Sequence, residues 1–104
     1  MKYYSIVQFT ITKTDWIPAY GEKVTKMLEN WGGKYLARTN QVEALEGKIE
    51  PHTTMVIVEW PSKELSDSFY DSEEYRPYRE ARKSGTRGTL LRVAGEDITG
   101  EAKM

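Results

Sequence analysis

Stretches of period two and period 3.6 succeed one another along this chain. Met55, Val56, Ile57, Val58 and Trp60 make its most apolar run, dominated by β-branched and aromatic residues and closed by Pro61-Ser62. That composition predicts a strand. Alternation puts Met55, Ile57 and Glu59 on one face and Val56, Val58 and Trp60 on the other. Both faces are apolar, so the strand is expected in the middle of a sheet covered on both sides. Residues 3–11 read the same way, with Tyr3, Val7, Phe9 and Ile11 on one face and Tyr4 and Ile6 on the other.

Between these strands the period changes. Ile17, Tyr20, Val24, Met27, Leu28 and Trp31 recur at spacings of three and four, which predicts an amphipathic helix over about residues 16–31. Thr14 or Asp15 is the expected N-cap, Pro18 suits the first turn, and Gly32-Gly33 ends the helix. Residues 34–46 read as a second extended stretch, bulged or bent at Thr39-Asn40-Gln41. Beyond the apolar strand, Ser62 caps a helix carrying Leu65, Phe69 and Tyr70. Ser72 then recaps a second segment with Tyr75, Tyr78 and Ala81, in which Pro77 is expected to bend the helix. Arg87 to Ala94 is the last strand, with Leu91 and Val93 opposite Leu90 and Arg92.

The order βαββαβ predicts an α+β, ferredoxin-like domain over residues 1–95, followed by a polar tail at 96–104. Its four-stranded antiparallel sheet would hold the first and third strands in the middle and carry the helices on one face. The other face is then apolar and uncovered. Sheet-to-sheet packing in a homodimer is the expected remedy.

Composition narrows the function classes. The chain has 104 residues, enough for one modest core. Fifteen basic and sixteen acidic side chains leave a net charge of −1, which gives no general attraction to nucleic acid or anionic membrane. Cysteine is absent, which removes thiol nucleophiles and thiolate metal sites and fits a reducing, cytoplasmic setting. No signal-peptide pattern or membrane-length apolar run is found. One histidine, His52, in a loop beside Pro51, is a poor basis for a metal or haem site. No cofactor is expected. Phosphate-loop, dinucleotide, nucleophile-elbow and HExxH motifs are all missing.

Several segments resemble a known family: Gly32-Gly33-Lys34-Tyr35-Leu36-Ala37-Arg38, Val42-Glu43-Ala44-Leu45-Glu46-Gly47, Val56-Ile57-Val58-Glu59-Trp60-Pro61-Ser62, and Phe69-Tyr70-Asp71-Ser72-Glu73-Glu74-Tyr75. In this order and spacing, from about residue 3 to residue 95, they resemble the small bacterial proteins grouped as domain of unknown function 1330. The resemblance implies a dimeric α+β barrel of two face-packed ferredoxin-like sheets. It implies no established reaction, because that superfold carries cofactor-free monooxygenases, haem enzymes, lactone isomerases and plain ligand binders. Trp60 stands where many relatives carry Phe, and the tail after Gly95 is particular to this chain.

Glu59 is the first candidate for chemistry, because a carboxylate on an apolar strand face needs a partner or a raised pKa. Arg38, on a neighbouring strand, is the expected partner. Together they are candidates for general base and orienter, or for a substrate anchor. The plain alternative is a structural ion pair. Glu59 is a pocket residue if its face carries the helices, and an interface ion pair if its face meets a second subunit. Tyr4, Trp31, Tyr35, Trp60 and Tyr70, with Trp16, Tyr20, Phe69 and Asn40 near them, are candidates to line a helix–sheet cavity for a small, partly apolar molecule. Core and dimer packing is the plain alternative. Six bases lie between residues 76 and 92, and five acids between 63 and 74, which suggests solvated faces or charge matching between subunits. Two functions follow: a small-molecule binder, extending to cofactor-independent catalysis, or a non-catalytic dimerisation or protein-interaction module.

Overall fold

The computed structural model describes residues 1–99. Strand β1 (Tyr3–Ile11) leads to helix α1 over residues 17–30 and then to β2 (Lys34–Thr39) and β3 (Thr53–Trp60). Helices α2 (Lys63–Tyr70) and α3 (Arg76–Ser84) follow, and β4 (Thr86–Ala94) closes the fold. The sheet is antiparallel throughout, in the order β2-β3-β1-β4. The expected α+β, ferredoxin-like arrangement is therefore present, with β1 and β3 in the middle. Among the described residues, no helix is long and apolar enough to cross a membrane.

Register assigns the faces. Tyr3 opposes Trp60, Ser5 opposes Val58 and Val7 opposes Val56, and these residues look toward the helices. Val24, Met27 and Leu28 of α1, Phe69 of α2 and Tyr75 close over Val58 and Trp60 to form the core. Trp60 is 2% exposed, and its indole N–H donates to Ser5 Oγ at 3.0 Å. Truncating such a residue to alanine costs about 3–5 kcal/mol. The opposite face carries Tyr4, Ile6, Met55, Ile57, Leu91 and Val93, and no element among the described residues covers it.

Local sequence explains most element ends. Gly32, at φ +95°, lies in the left-handed region beyond α1. Gly33 N–H donates to Leu28 O and Gly32 N–H to Glu29 O, both at 3.0 Å, which is the Schellman closure of a helix. Ser62 Oγ accepts from Leu65 N–H and Ser72 Oγ from Tyr75 N–H, as their capping positions predict.

Five expectations are corrected. The start of α1 has no side-chain cap, because Thr14 accepts from Ile17 N–H through its backbone carbonyl instead. The α1 ladder widens to a π-turn at Tyr20–Val24, where Thr25 Oγ1 donates to Gly21 O at 2.6 Å. Pro77 does not bend α3, because it falls in the first turn, where its missing N–H had no partner to lose. The second strand ends at Thr39, which pairs with Met55 near the start of β3, so residues 42–46 lie outside the sheet. Its bulge falls between Tyr35 and Ala37 and not at residues 39–41.

Ser72 joins α2 to α3 by accepting from Tyr75 N–H at 3.1 Å and donating to Phe69 O at 2.8 Å. Ser72→Ala is expected to lower stability by about 1 kcal/mol, read as a shifted urea midpoint with an unchanged slope.

Candidate functional site

A cavity of about 840 Å³ lies between the helix-facing side of the sheet and the helices. Its floor is apolar: Val7 and Phe9 of β1, Val56, Val58 and Trp60 of β3, and Leu90 of β4. Aromatic rings from the helices complete it. Trp16 meets Tyr20 edge-on with centroids 5.1 Å apart, and Phe69 stacks on Tyr75 at 4.3 Å. The π-turn in α1 is what brings Tyr20 and Gly21 to this wall.

Polar groups converge on the cavity from two sides. At its buried end the hydroxyls of Tyr20 and Tyr75 hydrogen bond at 2.6 Å. Burial, then the neighbouring Tyr75, pushes the Tyr20 phenol far above its ordinary pKa, so it stays neutral. The guanidinium of Arg82, on a residue only 9% exposed, lies against both hydroxyls. Burial opposes its charge, yet the two phenol oxygens offset that and hold its pKa above the ordinary value. Near the rim, Arg38 lies 3.8 Å over the Tyr35 ring and donates to Thr25 Oγ1 at 2.8 Å. Arg92 reaches from β4 to Asp67 Oδ1 at 2.6 Å and to Ser66 Oγ at 3.2 Å. Hydrogen bonds from Lys63 and Arg92 hold the Asp67 carboxyl below its usual range.

The candidate residues divide between the two faces of the sheet. Tyr35, Trp60, Tyr70 and Arg38 line the cavity. Trp31 packs against the core outside it. Tyr4 and Glu59 lie opposite each other on the uncovered face, where Glu59 Oε1 accepts from Lys2 Nζ at 3.3 Å. The expected Glu59–Arg38 pair is therefore not formed. The register is the cause: Lys34 is the β2 residue opposite Glu59, and Arg38 lies further along the strand, opposite Val56. The β2 bulge also turns Arg38 to the helix-facing side, where unbroken alternation would have left it on the face of Glu59.

Sequence reasoning passed over Arg82, Arg92, Ser66 and Asp67 as parts of this site. Arg82 follows Tyr75 by seven residues and Tyr78 by four, so it belongs to the inward stripe of α3. Ala81, expected in that stripe, is exposed. Part of the opposite charge around residues 63–92 is matched within the chain, through Arg92–Asp67, Lys63–Asp67 and Arg76–Glu73.

This chain belongs to the family described as domain of unknown function (DUF1330), whose model matches residues 2–96. No curated protein matches it significantly. Among solved structures it is similar to a protein of unknown function from Rhodopseudomonas palustris, at 18% identity over 92% of this chain and 83% of that one, with a TM-score of 0.77. It is also similar to SnoaB, a cofactor-independent oxygenase from Streptomyces nogalater, at 9% identity over 94% and 96% of the two chains, with a TM-score of 0.65. An antibiotic biosynthesis monooxygenase aligns at 21% identity over 91% and 99%, with a TM-score of 0.60. At these identities the likeness establishes the fold.

The neutral, buried Tyr20 makes a pH prediction. Above pH ~10 an unfolded tyrosine loses its proton while folded Tyr20 keeps it, so stability falls as pH rises, by up to about 1.4 kcal/mol per unit from this residue. Tyr20→Phe is expected to flatten that alkaline slope in urea titrations between pH 9 and 11. An unchanged slope would mean that Tyr20 titrates normally.

Proposed function

We propose that this chain forms a homodimer through its uncovered sheet face and binds a small, partly apolar molecule in the helix–sheet cavity of each subunit. The observation that carries the binding reading is the cavity itself. Its volume of about 840 Å³ falls within the roughly 300–1,000 Å³ of small-molecule sites. Its apolar floor and few convergent polar groups are what such sites use to hold and orient a ligand. Residues 1–95 act as one domain in this reading.

The dimer reading rests on the other face. Leu91 is 58% exposed and Val93 46%, and they adjoin Tyr4 and Ile6 through the β1–β4 register. Ion pairs stand at both ends of this apolar centre: Lys2–Glu59 at one, and Arg87–Glu50, at 2.8 Å, at the other. An apolar centre with a charged rim is the anatomy of a protein interface. Glu59 then serves as an interface ion pair, in place of the base it was a candidate to be. Lys2–Glu59 is too exposed to contribute more than about 1 kcal/mol, so its use is registration of the two sheets.

Two measurements test these readings. Sedimentation at micromolar concentration is expected to give a dimer for the wild type and a folded monomer for Leu91→Glu; a wild-type monomer overturns the dimer. Calorimetric titration with naphthalene-2-methanol is expected to show saturable binding that Leu90→Trp abolishes, because the indole fills the cavity from its half-exposed β4 wall. Binding that is absent in the wild type, or untouched by Leu90→Trp, removes the cavity from the function.

A further inference from the structure

Among the described residues, two buried side-chain polar atoms lack a hydrogen-bond partner: Trp16 Nε1 and Arg82 Nε. Both are donors, and both residues line the cavity. They belong to one end of it. Trp16 packs on Tyr20 and also against Gly85, where an added Cβ would collide with the indole. Gly85 N–H in turn donates to Arg82 O at 3.0 Å, and the Arg82 guanidinium lies against the Tyr20 and Tyr75 hydroxyls.

The charge at this end has no carboxylate beside it. Among the described residues Arg82 forms no ion pair, and the Tyr75 and Tyr20 hydroxyls are what support its charge. Elsewhere on the cavity wall, Arg92 is neutralised by Asp67. Arg38 also pairs with no carboxylate and rests on Thr25 and Tyr35. Asp71, the remaining acid on the wall, is exposed at the rim. The hydroxyls support the buried charge without neutralising it, and a carboxylate would add the counterion that this end of the wall lacks.

We infer that the cavity selects an organic anion, an apolar aromatic or aliphatic body bearing a carboxylate, and that Arg82 receives the carboxylate at the buried end. This deepens the cavity reading and rests on it. The apolar body lies along Val7, Val56 and Leu90. The carboxylate accepts from the Arg82 guanidinium, and the one hydroxyl hydrogen left over by the Tyr20–Tyr75 hydrogen bond is a further donor beside it. Arg38, at the rim, favours entry of an anion.

The test compares naphthalene-2-carboxylate with its neutral counterpart naphthalene-2-methanol by calorimetric titration at pH 7. The wild type is expected to bind the carboxylate at least about tenfold more tightly, the effect of one charge-assisted hydrogen bond. Arg82→Met should erase that preference and leave affinity for the alcohol within about twofold, while Arg82→Lys restores part of it. Arg82→Met is also expected to melt no lower than the wild type, since it removes an unpaired buried charge. Arg82→Gln, which keeps a hydrogen-bonding side chain and removes the charge, should likewise weaken the carboxylate alone, and it serves as the test where Arg82→Met fails to fold. Equal wild-type affinities, or a carboxylate preference that survives both Arg82→Met and Arg82→Gln, overturn the anion inference and leave the cavity reading standing. Failure of the wild type to bind either probe overturns both.

Discussion

The structure depends on the register between its two middle strands. Antiparallel pairing places directly opposed side chains on one face, so Trp60 with Tyr3, Val58 with Ser5 and Val56 with Val7 build one surface. Ile57 with Ile6 and Glu59 with Tyr4 build the other. A slip by one residue would exchange these sets and carry Glu59 under the helices. Trp60 is the side chain that forbids it. Its ring lies 5.4 Å from Phe69, its N–H finds Ser5 Oγ, and almost none of it meets water. An exchange would place that indole on the open face and a carboxylate in the core. Both changes are unfavourable, so the two faces keep distinct identities and are free to serve distinct purposes.

The helices cover only the surface that Trp60 anchors. Local devices fix three helix ends: the glycine closure after α1, the Ser62 cap of α2, and Ser72 between α2 and α3. Phe69 and Tyr75 are held between the last two, over Trp60. The π-turn at Tyr20–Val24 adds a second effect. Widening the ladder by one residue rotates the first part of α1 relative to the second, so Val24, Met27 and Leu28 fill the core while Tyr20 faces the cavity.

Element order, strand faces and caps were legible in the sequence because each follows from neighbours a few residues apart. Period-two runs at 3–11 and 54–60 need only alternation, and Ser62 and Ser72 need only their following turns. The chemistry was harder to read because it turned on features without local signatures. The register that sets Lys34, and not Arg38, opposite Glu59 has no local signature, and the bulge at Tyr35–Ala37, which turns Arg38 to the helix side, lies in an ordinary-looking strand sequence. Which face the helices take is a question of tertiary packing, so Glu59 was left with two readings. Arg82 was obscured differently. It stands among Arg76, Arg79 and Lys83, and a basic run reads as a solvated helix surface. The helical period from Tyr75 was the available signal, and it was outweighed by charge.

Arg82 and Glu59 show why an unexpected charge needs its surroundings before it acquires a meaning. Glu59 sits on an apolar face beside Lys2 and is partly open to water, so its charge is balanced locally and asks for nothing further. Arg82 is the more demanding group: buried, on a face already committed to a cavity, with hydroxyls but no carboxylate among the described residues beside it. An apolar side chain of similar length would fill the same space without the desolvation penalty. The last turn of α3 gives a cation some support, and Lys83 beside it, exposed, takes the same support at no such penalty. Helix-end electrostatics therefore do not account for a guanidinium turned inward. What remains particular to the inward position is the cavity, whose wall gives the guanidinium two hydroxyls and no carboxylate. A counter-anion brought by a ligand supplies the missing charge.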